Sequence, residues 1–136
     1  MRWQLLALAA AIAGLGVSIY LTVVHYAGVP LACPANGTIN CQAVLSSRYA
    51  VIAGTGLPTS VAGIVWFAVS ALLWTSRRVR IQLAWSLIGL VTVLYLVYIE
   101  IVQLGAVCIW CSAAHALVLV NFLVTLSEAN GGRVRS

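Results

Sequence analysis

Cys108 and Cys111 stand two residues apart in Cys108-Ile109-Trp110-Cys111, and Ser112-Ala113-Ala114-His115 follows. Two thiols at that spacing can close a reversible disulfide, the arrangement of a thiol redox centre. On a helix they share a face. His115 lies between them in angle and roughly 6 Å further along than Cys111, at ~1.5 Å of rise per residue. A helix starting at the motif brings free N–H groups and the positive end of its dipole to a thiolate. Without chemistry, the two cysteines would be small buried hydrophobes and His115 a histidine bonded across helices to Tyr98 or Glu100. A second pair, Cys33 and Cys41, weighs against that bland reading. Four cysteines allow two disulfides in any of three connectivities. Thiolates with an imidazole also suit zinc or copper(I), so Cys108, Cys111 and His115 are equally a candidate metal set. Covalent c-type haem is excluded, because Ser112 stands where its histidine must be.

The elements that position these residues belong to a membrane. The chain is 63% hydrophobic and 7% charged, with a mean hydropathy of +1.09, more apolar surface than a soluble domain of this length needs. Apolar runs predict four spans, at about 5–27, 59–75, 81–104 and 108–126, with a loop over 28–57. The expected fold class is an all-α integral membrane protein, a four-transmembrane-helix bundle in a single domain over 1–136. The first run is too long for a signal-peptide core and lacks a small-x-small cleavage site. Within the loop, Asn36-Gly37 marks a turn and Asn40 a helix cap. Cys41, Val44, Leu45, Arg48, Tyr49 and Ile52 then recur at helical spacing, which predicts one short amphipathic surface helix. Gly54-Thr55-Gly56 ends it, and Pro58 suits the first turn of the next span. Arg77-Arg78-Val79-Arg80 reads as a tight basic turn and 131–136 as an irregular basic tail.

The net charge of +5 comes from seven arginines against Glu100 and Glu128. They flank apolar segments and form no face for nucleic acid. Arg2, the 77–80 cluster, Arg133 and Arg135 fall on one side of a four-span chain and Arg48 on the other. That distribution predicts cytoplasmic termini in a cell (inner) membrane, with all four cysteines extracytoplasmic, where disulfides persist. Trp3, Trp74 and Trp85 then belong to the inner aromatic belt and Trp110 to the outer one. His25, Tyr26, Thr59, Ser60, Tyr95, Tyr98, Glu100 and His115 all fall toward the outer side, and ionisable groups at such depth face a bundle interior. A thiol pair in lipid can meet a lipid-soluble electron acceptor. A loop pair can carry electrons to it from an external protein dithiol, since exchange needs only a thiolate, an accessible disulfide and proximity.

Cys33 and Cys41 with seven residues between them, Val44-Leu45-Ser46-Ser47-Arg48-Tyr49, Gly56-Leu57-Pro58 and Cys108-x-x-Cys111 occur in this order along nearly the whole chain. Their order and spacing resemble the vitamin K epoxide reductase family, its prokaryotic members in particular. The resemblance implies a four-helix bundle around a quinone (menaquinone, ubiquinone or vitamin K), capped by the cysteine-bearing loop. It implies that Cys111 reacts with the quinone, that Cys108 exchanges with the loop, and that Cys33 and Cys41 face the redox partner. Ser47 matches a serine of the family's loop and is, with His115, a candidate quinone-binding or proton-donating residue. His115 stands where the animal enzymes place a quinone-contacting tyrosine, so its role as quinone ligand or proton donor follows from position. Many bacterial relatives carry a fused thioredoxin-like domain. This chain stops after its fourth span, so a separate thioredoxin-like extracytoplasmic protein is the expected partner. The function so implied is a quinone-dependent thiol oxidoreductase supplying disulfides to extracytoplasmic proteins. Its rivals are reduction of vitamin K epoxide as the physiological task, a Cys/His metal-binding membrane protein, and a structural tetraspan stapled by Cys33–Cys41.

Overall fold

The computed structural model describes residues 2–33 and 36–134. Five α-helices follow one another: α1 (Arg2–Ala27), α2 (Cys41–Leu45), α3 (Thr59–Thr75), α4 (Val79–Tyr98) and α5 (Ile109–Val134). A 3-10 turn, Arg48–Ala50, follows α2, and a π-helical segment, Ile99–Leu104, extends α4. Among the described residues no strand forms, and only isolated bridges such as Ile39 with Val107 join loop to loop. Three helices are long and apolar enough to cross a membrane: Arg2–Ala27, Val79–Leu104 and Ile109–Gly131. The fourth apolar helix, α3, has 17 residues, about 25 Å at 1.5 Å per residue.

The four long helices pack in a ring, α1 against α3 and α5, and α4 against the same two. The distribution of side chains is the reverse of a soluble protein's. Leu72, Val91, Leu94, Ile101 and Val102 lie exposed on the outside, while Ser18, Ser70, Gln82, Ser86, Asn121 and Thr125 are buried. Lipid tails are as apolar as leucine, so such helices are joined by close packing and interhelical hydrogen bonds rather than by hiding apolar surface. Toward the Arg77 turn, the Trp74 indole N–H donates to Asn121 Oδ1 at 3.1 Å. Ser86 and Thr125 hydroxyls share a bond of 3.3 Å. Toward the loop end, Thr22 donates to Ser60 at 2.7 Å.

Close packing uses small residues. Ala7, Ala10, Ala11, Gly14 and Ser18 form the buried stripe of α1. The Phe67 ring sits directly on Gly14, and the Trp66 indole on Gly89 of α4.

Three expectations need correction. The surface helix is two pieces, because Ser46 Oγ donates to Gln42 O and Ser47 Oγ to Val44 O, both at 2.7 Å. These side chains compete with the backbone and stop α2 at Leu45. Asn40 does cap it, accepting from Ala43 N–H at 3.0 Å. The basic turn is shorter than read, since Val79 and Arg80 already belong to α4, and Arg77 makes the reversal at φ 53°. The tail is helical as far as Val134, since two glycines lower helix propensity without forbidding the helix; Arg135 and Ser136 lie outside the described residues.

The ring-on-glycine contacts give the first prediction. Gly14→Ala and Gly89→Ala each force a methyl into an aromatic ring, and overpacking of this kind costs about 1–3 kcal/mol. Gly16→Ala, on the same helix as Gly14 but in open space, should be neutral or slightly stabilising. Thermal unfolding of the purified variants in detergent checks the ordering.

Candidate thiol redox site

The site begins where α4 changes pitch. The π-helical turns bring Glu100 inward, 5% exposed. Gly105, in the left-handed region at φ 61°, then reverses the chain, and Ala106 N–H returns to Glu100 O at 3.1 Å. Two residues later, the Cys108 N–H donates to Glu100 Oε2 at 3.2 Å. Cys108 is the residue immediately before α5, and its sulfur accepts the Cys111 N–H at 3.2 Å. Its thiol therefore occupies the place that a serine or aspartate oxygen takes at an N-cap. That sulfur lies at the positive end of the helix dipole, on a donor that stabilises negative charge.

The loop is bonded to this same turn. Val107 N–H donates to Thr38 O at 2.8 Å and Asn40 N–H to Val107 O at 3.0 Å. The pairing delivers Cys41, the first residue of α2, onto Cys108. The two are 2% and 0% exposed and belong to one buried cluster with Val44 and Ala106. Cys33 and Cys41 are joined as a disulfide, with Cα atoms 6.2 Å apart. Cys108 and Cys111 are free thiols. Cys33 and Cys111, both partly buried, pack against the same cluster, so all four cysteines meet.

Cys108 and Cys111 differ in what they face. Cys111 lines a cavity of about 530 Å³ within the bundle, and Cys108 does not. Trp66, Phe67, Val118, Leu96 and Ile99 make its walls largely apolar, while His115, Glu100 and Ser47 are among the few polar groups on it. His115 Nδ1 lies 3.9 Å from Glu100 Oε1, with its side chain 13% exposed. Ser47 joins the wall, but its hydroxyl hydrogen is already given to Val44 O. His25, Thr59 and Ser60 also line the cavity.

Tyr95 and Tyr98 do not join this cluster, being 56% and 50% exposed on the outside of the bundle. At 100° per residue Glu100 points well away from both, so the three cannot share a face. Tyr26 is likewise on the exterior. Trp85, expected at a membrane interface, instead lines the cavity with Trp66, and the two indoles stack at 6.5 Å. Each donates its N–H to the other's main-chain carbonyl, at 3.2 and 3.1 Å. Sequence reading missed Trp66, although Gly89, four residues beyond Trp85 on one face, marks where a large ring of the neighbouring helix α3 needs room. No group of three or more His, Cys, Asp or Glu side chains is placed to hold a metal ion among the described residues.

An apolar helical bundle with two cysteine pairs meeting at one end, one of them beside an internal cavity, is the build of a membrane redox protein that works through cysteines. The chain belongs to the vitamin K epoxide reductase family, whose model matches residues 5–126. Members of that family are membrane oxidoreductases that work through cysteines and use quinones. No curated protein matches the chain.

Glu100 supplies the second prediction. In Glu100→Ala the buried Cys108 N–H loses its acceptor, a defect worth about 1–3 kcal/mol. Glu100→Gln keeps an acceptor oxygen and should recover most of that stability. Unfolding midpoints of the two variants against wild type measure the difference.

Proposed function

We propose that this protein is a quinone-dependent thiol oxidoreductase that generates disulfides in extracytoplasmic proteins. The observation that carries the reading is the asymmetry of the inner pair: Cys111 opens on the apolar cavity beside His115, while Cys108 is sealed against Cys41. The cavity fits a quinone in kind, with apolar and aromatic walls, a volume in the usual range of small-molecule sites, and His115 as a polar group to fix orientation. A quinone supplies the capacity to take up two electrons and two protons, leaving as hydroquinone. The arginine distribution supports four crossings with both termini cytoplasmic and both cysteine pairs on the opposite side.

Each residue then has a defined task. An external thioredoxin-like dithiol opens Cys33–Cys41, two S–H bonds forming on the loop as the partner becomes a disulfide. Cys33, less buried than Cys41, is the sulfur that the partner meets. The Cys41 thiolate attacks Cys108 Sγ of an oxidised Cys108–Cys111 pair. Cys111 leaves with the bonding electrons and Cys41–Cys108 forms. Cys33 then attacks Cys41, which re-forms the loop disulfide and frees Cys108. The result is a closed loop disulfide with two free inner thiols. Cys111 and Cys108 then close their own disulfide as their electrons pass to the acceptor. His115 donates a hydrogen bond or a proton toward the acceptor's oxygen.

Three measurements test this. In intact, reduced cells a membrane-impermeant thiol reagent should label Cys33 or Cys41; labelling only after the inner face is exposed overturns the orientation. Cys111→Ala should accumulate a Cys41–Cys108 disulfide detectable by mass spectrometry, and the absence of any loop-to-helix linkage overturns the relay. His115→Ala should slow dithiol-driven quinone reduction on the order of 100-fold while partner-to-loop exchange persists. Turnover within a few-fold of wild type would make His115 structural.

A further inference from the structure

The two arms of the loop disulfide are held by different means. The Cys41 arm is fixed by α2, by the Asn40 cap and by the two hydrogen bonds to Val107. The Cys33 arm has no helix. Immediately before Cys33, the Ala32 N–H donates to the Tyr20 hydroxyl at 3.3 Å, and the Trp110 indole N–H donates to Ala32 O at 2.9 Å. The two rings close around this residue with centroids 4.8 Å apart. Tyr20 lies about 10 Å back from the end of α1 at Ala27, at 1.5 Å per residue, so the chain after α1 turns down along the helix to reach it. Trp110 sits between the two cysteines of the inner motif. Ala32 is exposed and belongs to no regular element, and these two side chains bond both its N–H and its C=O.

We infer that Tyr20 and Trp110 are positioning residues that clamp the main chain of Ala32 and thereby hold Cys33 within closing distance of Cys41. The inference deepens the reading of the loop as a redox relay and rests on it. When an external dithiol opens Cys33–Cys41, one S–S bond breaks, two S–H bonds form and the dithiol becomes a disulfide. No disulfide then ties the arms, which stay joined only through the main chain between them. The concentration of Cys33 that Cys41 experiences depends on whether the Cys33 arm stays docked. Clamp and disulfide require the same placement of the chain, so each stabilises the other and the coupling is reciprocal. The clamp therefore sets how readily the loop gives up and regains its disulfide. The Trp110 bond ties that property to the inner motif.

The test uses the full-length protein equilibrated in dithiothreitol buffers of graded oxidation, acid-quenched, alkylated and mapped by mass spectrometry, so that Cys33–Cys41 is quantified separately from Cys108–Cys111. Tyr20→Phe keeps the ring and removes the acceptor; Trp110→Phe keeps an aromatic ring and removes the donor. Each should make Cys33–Cys41 roughly fivefold easier to reduce, the effect of one ordinary hydrogen bond. Quinone reduction from pre-reduced Cys108 and Cys111 should stay within twofold of wild type in Tyr20→Phe. A loop equilibrium within twofold of wild type in both variants overturns the clamp. So does a parallel loss of loop disulfide and quinone reduction, which would make the pair general scaffolding. If the wild type itself fails to reduce a quinone, the functional reading falls, and the loop equilibrium still decides the clamp.

Discussion

Irregular backbone in or near a bilayer must find a partner for every N–H and C=O it cannot expose to water. Here the loop after α1 and the turn before α5 meet that demand on each other. Val107 gives its N–H to Thr38 and takes that of Asn40. Around this exchange everything else is placed. It sets Cys41 over Cys108, and it holds the start of α5 where the Cys108 sulfur can cap it. It also roofs the cavity below. A loop paired to the solvent side of the bundle instead would leave the inner cysteines apart from the loop disulfide.

The bundle divides into two unlike halves. Toward the Arg77 turn, Trp74, Asn121, Ser86 and Thr125 are buried and bonded across helices. Such bonds fix the register of helices that lipid would otherwise let slide. Toward the loop, the helices separate around the cavity and the contacts there are chiefly apolar and aromatic. The Trp66–Trp85 pair lies on the cavity wall, stacked and reciprocally bonded to main chain. The reciprocal bonds fix one wall of the cavity. The two tryptophans achieve that with carbonyls which already serve their own helices and have a lone pair to spare.

Much of this was legible in the residues. Composition and run length located the apolar helices, because in lipid the signal is a sustained average rather than a periodicity. The Asn40 cap and the Asn36-Gly37 turn were legible because each is a local, side-chain-to-backbone effect. The helix-start geometry at Cys108 followed from spacing. Other features were hidden for definable reasons. The break in the surface helix depends on two serine hydroxyls choosing carbonyls behind them, and the same serines could equally have faced water. The separation of Glu100 from Tyr95 and Tyr98 depends on which face of α4 meets its neighbours. An apolar helix with a nearly uniform hydrophobic circumference does not announce that face. The pairing of Trp66 with Trp85 is a contact between helices, and the one trace it leaves in sequence is a glycine.

The short length of α3 bears on where the chemistry can take place. About 25 Å of helix is less than the ~30 Å of hydrocarbon in an ordinary bilayer, and a short segment is accommodated by local thinning. The neighbours of α3 are longer, α1 and α5 having 26 residues each. In a bilayer the mismatch would fall on the side of the ring that α3 occupies, the helix that follows Pro58. In a bilayer that α3 crosses, the headgroup region on that side would be drawn toward the cavity mouth. A molecule dissolved among the acyl chains and a protein dissolved in water would then reach opposite sides of the same few ångströms of sulfur chemistry, with neither having to cross into the other's solvent.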